Sequence, residues 1–208
     1  MPRETRVPLP TLERLATYFR YLCQIESKNV EAISSSAIEE ATGIHAAQFR
    51  KDLSYFGEFG RPGVGYDVKE LRRSIARILK LDAEQPVILV GAGNLGSALA
   101  GYDGLARHNF DVAAVFDSNP AKIGREFWGL EILDVARLRA VNAEIGARIA
   151  IVTVPAGAAQ STTDALVDAG VKVILNFAPI TIRVPEGVVV RNVCFIQELA
   201  VLSYYLAP

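Results

Sequence analysis

Val87-Ile88-Leu89-Val90-Gly91-Ala92-Gly93-Asn94-Leu95-Gly96 decides the fold of this 208-residue chain. Four consecutive apolar residues between a proline and a glycine fit a strand buried on both faces. Gly91, Gly93 and Gly96 follow at GxGxxG spacing, and Leu95–Arg107 reads as a helix. Three glycines alone are a weak signal, but between a strand and a helix they gain a mechanism. Gly91 permits the tight turn, Gly93 lets backbone approach a pyrophosphate, and Gly96 lets helix and strand pack closely. Asn94 and Leu95 complete the loop, where free N–H groups at the helix start favour phosphate. Asp117 ends the next apolar run, Val112–Phe116, 26 residues after Gly91. A carboxylate there accepts adenosine ribose hydroxyls and repels a 2′-phosphate. Ser118 and Asn119 follow it with no immediate arginine, which favours NAD+ and NADH over their phosphorylated counterparts.

Downstream, apolar runs and amphipathic stretches alternate. Strands are expected at Glu131–Leu133, Ile149–Val154 and Val173–Asn176, with helices near Val135–Asn142 and over Ala156–Ala169. Such βαβ alternation predicts a Rossmann-type, doubly wound parallel sheet, hence an α/β fold. Thr153-Val154-Pro155 and Asn176-Phe177-Ala178-Pro179 both follow predicted strands. Their position at carboxyl ends places Val154, Pro155, Asn176, Ala178 and Pro179 beside the nicotinamide half of the ligand; alone, each is also an ordinary strand-to-loop transition. The last predicted helix, Phe195–Leu206, is apolar on nearly every side, so a second subunit is expected to cover it.

Upstream the periodicity is helical. Thr11 is expected to cap a helix over Thr11–Ile25 with Leu12, Leu15, Phe19 and Leu22 on one stripe. Ser36 with Glu39 spells a capping box for a short helix with Ile38 and Ala41 inward. Thr42-Gly43-Ile44-His45 turns into a further helix from Ala46 to about Phe56, and two short helices about a glycine turn form a helix-turn-helix. Phe49, Leu53 and Phe56 face inward, while Gln48, Arg50, Lys51, Ser54 and Tyr55 face out as donors for phosphates and base edges; an ordinary solvated face is the plainer alternative. Gly57–Tyr66 holds four glycines and a proline, reads as a hairpin with Arg61 near its tip, and turns the motif into a winged helix. Lys69–Leu81 is a basic amphipathic helix, and Asp82–Pro86 a linker. The expected parts are residues 1–82, a DNA-binding winged helix; 83–193, a dinucleotide-binding domain; and 194–208, a dimerisation helix.

Half of the residues are hydrophobic and 22% are charged, which supports a packed core. Net charge is −1, but residues 1–80 carry 13 Lys and Arg against 10 Asp and Glu, and the remainder 9 against 13. A mildly basic head on an acidic body fits nucleic-acid binding by the head alone. There is no run long enough for a transmembrane helix and no expected secretory signal, so a cytoplasmic protein without membrane contact is expected. The two cysteines, Cys23 and Cys194, exclude a disulfide scaffold and a CxxC zinc site, and no metal is expected. Hydride transfer needs an acid or base beside the nicotinamide. The two histidines, His45 and His108, fall elsewhere, and no tyrosine is followed four residues later by lysine. The site is built to bind rather than to react.

Arg50-Lys51-Asp52-Leu53-Ser54-Tyr55-Phe56-Gly57, Gly63-Val64-Gly65-Tyr66, Gly91–Gly96 and Leu175-Asn176-Phe177-Ala178-Pro179 follow one another in order. This series resembles the Rex family of redox-sensing transcriptional repressors over nearly the whole chain. The resemblance implies a homodimer with its C-terminal helix swapped into the partner, and double-stranded inverted-repeat operator DNA read by two winged helices. It implies release by NADH, competition by NAD+, and control of fermentation and respiration genes. It assigns the adenosine ribose to Asp117 and places Phe195 near the partner's nicotinamide. It puts Arg20 and Tyr102 in a switch network whose third member, an aspartate in the family, is Cys194 here. That departure removes an ionic partner from Arg20. It also leaves open a thiol switch between Cys23 and Cys194, with two inert cysteines as the plainer reading. Competing readings are a small NAD-dependent oxidoreductase with a helical N-terminal domain, and a nucleotide-binding subunit without a DNA role. The chain stops at Pro208, soon after its last helix, which leaves a further polar tail open.

Overall fold

The computed structural model describes residues 7–61 and 63–206. The chain divides into two compact units, 1–83 and 84–208. Residues 194–208, expected as a separate part, fall within the second unit.

In the first unit α1 (Leu9–Glu26) carries Leu15, Tyr18, Phe19, Leu22 and Ile25 into the core. Strand β1 (Ala32–Ile33), α2 (Ser35–Thr42), α3 (Ala46–Ser54), β2 (Tyr66–Asp67) and α4 (Val68–Ile78) follow. Ile38, Phe49, Leu53, Leu71 and Ile75 complete the buried cluster. Phe49 meets Tyr18 edge-on at 4.9 Å and Tyr66 at 5.1 Å between ring centroids. Glycine ends α2: Gly43 adopts φ 71°, a left-handed cap open to few other residues.

Several local expectations are corrected. Thr11 does not cap α1, whose N-cap is Pro8; Thr11 lies inside the first turn, buried, with its hydroxyl on Asp52. Ser34, not Ser36, caps α2 by accepting from Ala37 N. Glu39 leaves the expected capping box and instead accepts from Ala46 N (2.9 Å) at the start of α3. Ala41 is exposed. The wing is minimal: Arg61 and Gly65 close a tight turn by backbone bonds, while β2 pairs with β1, a strand the sequence did not announce.

Asp52 is the buried anchor of this unit. Its side chain is inaccessible, on the face of α3 that also buries Phe49 and Leu53. Arg14 from α1 donates through Nε to Oδ2 (2.6 Å) and through Nη2 to Oδ1 (2.7 Å). Tyr18 adds 2.9 Å, Gln48 2.8 Å and Thr11 3.2 Å. Five donors satisfy a carboxylate that would otherwise be costly to bury. Burial pushes the Asp52 carboxyl up, but bonds from Arg14, Gln48 and Tyr18 and the Arg14 charge bring it below the usual range. The same burial, with the bond to Asp52, pushes the Tyr18 phenol upward.

The second unit is a seven-stranded sheet. Its strands are β3 (Gln85–Val90), β4 (Phe110–Asp117), β5 (Glu126–Phe127), β6 (Leu130–Asp134), β7 (Ile149–Val152), β8 (Val173–Asn176) and β9 (Val189–Asn192). Their order is β5-β6-β4-β3-β7-β8-β9, with all neighbours parallel except β5 against β6. Winding runs outward from β3 in both directions, so the order reverses between β3 and β7. Ligands bind at the strand carboxyl ends beside such a reversal. Alternate residues of β3 face opposite cores: Ile88 and Val90 pack with Leu138 and Leu166, Val87 and Leu89 with Leu99 and Ala100. The helices are α5 (Asn94–Ala100), α6 (Gly104–Arg107), α7 (Leu138–Ile145), α8 (Ala156–Asp168) and α9 (Phe195–Ser203).

The single helix expected over Leu95–Arg107 is broken into α5 and α6 at Gly101. A side chain at Gly101 would overlap the ring of Trp128, which lies over it and donates to Ser97 Oγ. Pro86, expected in the linker, already belongs to β3. Helix α9 buries none of its residues; Ile196 is 73% and Leu202 61% exposed.

Asp52→Ala is expected to lower stability by about 3 kcal/mol, because it leaves Arg14 and Tyr18 without their partner. The lowered carboxyl value sets the sign with pH: the stabilisation is complete above the unfolded aspartate pKa, about 4, and is lost as pH falls through the lower folded value. Circular-dichroism melting from pH 7 to pH 3 checks both, with the difference between variant and native chain shrinking on acidification.

Candidate functional site

The dinucleotide loop is built by close approach. Gly91 ends β3 with φ 109°, and its N–H donates to Phe116 O on β4 (2.8 Å). A side chain there would strike the Thr153 backbone. Thr153 Oγ1 donates to Gly91 O (2.8 Å) and lies 3.1 Å from Val90 O, which fixes the carbonyl ends of β3 and β7 together. Gly96 lies where any Cβ would overlap the Gly91 carbonyl oxygen. The first turn of α5 therefore crosses the end of β3 at backbone contact. Gly93 is different: a Cβ there would meet nothing within 4 Å.

A cavity of about 770 Å³ opens beside this loop, within the size range of nucleotide and drug-sized ligands. Gly91, Gly93, Asp117, Val154 and Pro155 line it, as do Ser118, Asn119, Lys122, Val135 and Thr153, together with Ala158, Ser161 and Thr162 of α8. Asn94 and Leu95 are on α5 outside that lining. Val154 and Pro155, expected at the nicotinamide end, share the cavity with Asp117, expected at the adenosine ribose.

Asp117 is nearly buried. Ala92 N donates to Oδ2 (3.0 Å), Asn119 N to Oδ1 (2.8 Å), and Lys122 Nζ to Oδ2 (2.9 Å). Burial pushes its carboxyl up, and the Asn119 amide, Lys122 and the Ala92 amide outweigh that and hold it below the usual carboxylate range. Lys122 was missed in the sequence. The signal was the Asn119-Pro120 pair after a strand, a turn that sends the chain back toward Asp117.

Asn176 was expected to contact the ligand, but its side chain is fully buried and spent on its own neighbourhood. Nδ2 donates to Ala178 O, Ile180 O and Asn192 Oδ1, and Oδ1 accepts from Ala178 N. The residue shapes the Phe177–Ile180 loop and carries Ala178 and Pro179 in it. Phe177 in turn lies 6.2 Å from the ring of Phe195, at the start of α9. Tyr102 is 63% exposed and lies on a separate pocket of about 310 Å³ with Trp128 and Phe110, not on the cavity of Asp117. Cys194 precedes α9, half-buried, in the second unit; Arg20 is exposed on α1 in the first.

On α3 the outward face is Arg50, Lys51, Ser54 and Tyr55, all exposed. Arg50 donates to Ser35 Oγ (2.8 Å), and Ser54 returns its hydroxyl to Lys51 O. Gln48, expected among the outward donors, is half-buried and turned to Asp52. Arg61 is exposed in the wing turn. Arg72 on α4 pairs with Glu26 of α1.

Comparison with known proteins agrees with this division. The family model CoA_binding, the CoA binding domain, matches residues 82–180, and Put_DNA-bind_N, a DNA-binding protein N-terminus, matches residues 6–54. The redox-sensing transcriptional repressor Rex of Chloroflexus aggregans is 44% identical over 100% of this chain and 98% of its own length. That of Desulfitobacterium hafniense is 45% identical over 96% of this chain and 95% of its own. The chain belongs to the Rex family of redox-sensing transcriptional repressors. Among solved structures, the Rex-family repressor RSP in complex with β-NAD+ and operator DNA superposes with a TM-score of 0.91 at 39% identity, covering 96% of this chain and 92% of that one. RSP in complex with β-NADH gives 0.88 at 38%, covering 96% and 94%. Rex repressors are transcription regulators built on a fold shared with dehydrogenases.

Two glycines of the loop separate folding from binding. Gly96→Ala is expected to lower the thermal midpoint by several degrees, since about 2 kcal/mol of overpacking falls on backbone that cannot move aside. Gly93→Ala is expected to melt like the native chain. Equal midpoints for both variants in a calorimetric scan would contradict the close crossing.

Proposed function

We propose that this chain is a redox-sensing repressor that binds inverted-repeat, double-stranded operator DNA and releases it when NADH fills the cavity beside Gly91–Gly96. Through NAD+ competition it reads the NADH/NAD+ ratio and controls fermentation and respiration genes. The observation that carries the reading is the pairing, in a Rex-family chain, of a cavity floored by Gly93 and Asp117 with an exposed α3 face of Arg50, Lys51, Ser54 and Tyr55. RSP was solved both with β-NADH and with β-NAD+ and operator DNA, which supports the same two ligands here.

The roles follow from chemistry. The N–H groups at the start of α5 face the pyrophosphate across Gly91 and Gly93. Asp117 accepts the adenosine ribose. Val154, Pro155 and Val135 offer an apolar wall to the adenine side, the Asn176-braced loop with Ala178 and Pro179 serves the nicotinamide side, and Phe195 reaches the nicotinamide held by the partner subunit. Lys51, Arg50 and Arg61 supply charge for phosphates, and Ser54 and Tyr55 supply hydrogen bonds near the groove. Arg20, Tyr102 and Cys194 form the switch that couples the two ends. With cysteine in place of a carboxylate, Arg20 has no ionic partner at position 194, and NADH and NAD+ are discriminated less sharply or by other contacts.

The protein acts as a cytoplasmic homodimer, with α9 of each subunit covered by the other. The uncovered apolar surface of Ile196, Leu199, Leu202 and Tyr205 supports this. Among the described residues no helix is long and apolar enough to cross a membrane, and no cluster of ligating side chains holds a metal. It is a regulator rather than an enzyme: the curated relatives are named as transcriptional repressors, and neither histidine, His45 before α3 nor His108 after α6, stands at the carboxyl end of a strand.

Gel shift on an inverted-repeat operator tests the reading. NADH is expected to release the DNA at low salt, NAD+ to leave it bound and to oppose NADH, and NADPH to do nothing. Retention of the operator at saturating NADH would overturn the assignment.

A further inference from the structure

Asp117 meets its ligand already paired. Strand β4 ends at this residue, and the chain turns at Asn119-Pro120, where Ala121 N donates to Asn119 Oδ1 (3.0 Å) and Lys122 N to Asn119 O (2.9 Å). The turn brings the Lys122 ammonium back to 2.9 Å from Asp117 Oδ2. Two backbone amides, Ala92 N and Asn119 N, hold the same carboxylate from the sides. Of about four lone-pair positions, three are taken. One further hydroxyl completes the usual four, and a second would need crowding of the kind seen at Asp52, where the fifth donor, Thr11, stands off at 3.2 Å. A ribose presents two adjacent hydroxyls, each a donor and an acceptor. The second needs a donor, and Lys122 has protons to spare: an ammonium carries three, and one is used on Asp117. Both side chains lie on the cavity wall.

We propose that Lys122 is a specificity-determining residue: with Asp117 it forms one ribose clamp, in which the carboxylate accepts from one hydroxyl and the ammonium donates to the other. The inference rests on the dinucleotide reading above and goes beyond it in the role given to the lysine. The pair also explains how a cation can stand in a site that rejects phosphate. A 2′-phosphate would gain from Lys122 but would face Asp117, which two backbone amides prevent from turning away. While Asp117 is ionised the lysine charge is spent on it, and repulsion decides. The same holds for the 3′-phosphate of coenzyme A, although a CoA binding domain model matches this part of the chain. Neutralising Asp117 frees Lys122 as a point charge, the usual lysine role toward phosphate.

Calorimetric titration of the full-length chain with NADH and with NADPH tests this. Lys122→Met is expected to weaken NADH about 10- to 100-fold, the worth of one lost hydrogen bond from a charged donor, with no gain for NADPH. Asp117→Asn is expected to bind NADPH at least about 10-fold better than the native chain does, and Asp117→Asn/Lys122→Met to lose that gain. Native NADH affinity in Lys122→Met would overturn the clamp and leave the dinucleotide reading intact. So would an NADPH gain that survives in the double variant. Failure of the native chain to bind NADH would overturn the dinucleotide reading, and the clamp with it. Lys122 is part-exposed at a turn, so the single lysine variant decides the matter even where Asp117→Asn does not fold.

Discussion

The second unit depends on one contact: the first turn of α5 lies on the end of β3 so closely that Gly96 has no room for a side chain over the Gly91 carbonyl. Three consequences follow from that crossing. The free N–H groups of the helix start are aimed across the top of the sheet, where the strand order reverses. The Gly91 carbonyl is turned to Thr153, whose hydroxyl ties β3 to β7 and sets the neighbouring Val154 and Pro155 on the cavity wall. Gly91 N and Ala92 N are directed to β4, and Ala92 N is one of the amides that hold Asp117. Glycine at 96 is demanded by packing, whereas a Cβ at 93, on the cavity wall, would meet no described atom within 4 Å.

The first unit has a comparable dependence on Asp52. The aspartate belongs to the helix that presents Lys51, Ser54 and Tyr55, and its partners Arg14, Tyr18 and Thr11 belong to α1. Residues 51 and 52 are thus adjacent in sequence with opposite duties, one outward and free to meet phosphate, the other inward and fixing the helix. A buried, hydrogen-bonded ion pair tolerates few relative positions of two helices, where apolar packing alone would tolerate more. Orientation of the outward face is what recognition of a groove requires.

Much of this was legible in the sequence because it is periodic or stereochemical. The strand-glycine-helix order at Val87–Gly96, the carboxylate at Asp117 and the inward stripe of Phe49 and Leu53 all came from spacing. What stayed hidden has physical reasons. Strand β9, Val189–Asn192, has no helix before it, so alternation gave no cue. The break falls at Gly101, where the ring of Trp128 leaves no room for a side chain, and Trp128 is distant in sequence and comes from the turn between β5 and β6. Asn176 stands beside a loop that looks like a ligand contact, and its amide is consumed by the loop itself. Gln48 has the right spacing for an outward donor, but a buried acid four residues on turned it inward. Each miss is a side chain answering a partner that periodicity cannot see.

The account joins a cavity in one unit to DNA binding by the other, and its central claim is that occupancy of that cavity governs operator affinity. Fluorescence anisotropy of a labelled operator, with native chain and Gly93→Ala compared at saturating NADH, tests it most directly. The account predicts that both bind the operator equally without NADH, and that NADH weakens the native complex by at least about 10-fold while leaving the variant's unchanged. Equal weakening of the two complexes, or weakening of neither, would contradict it.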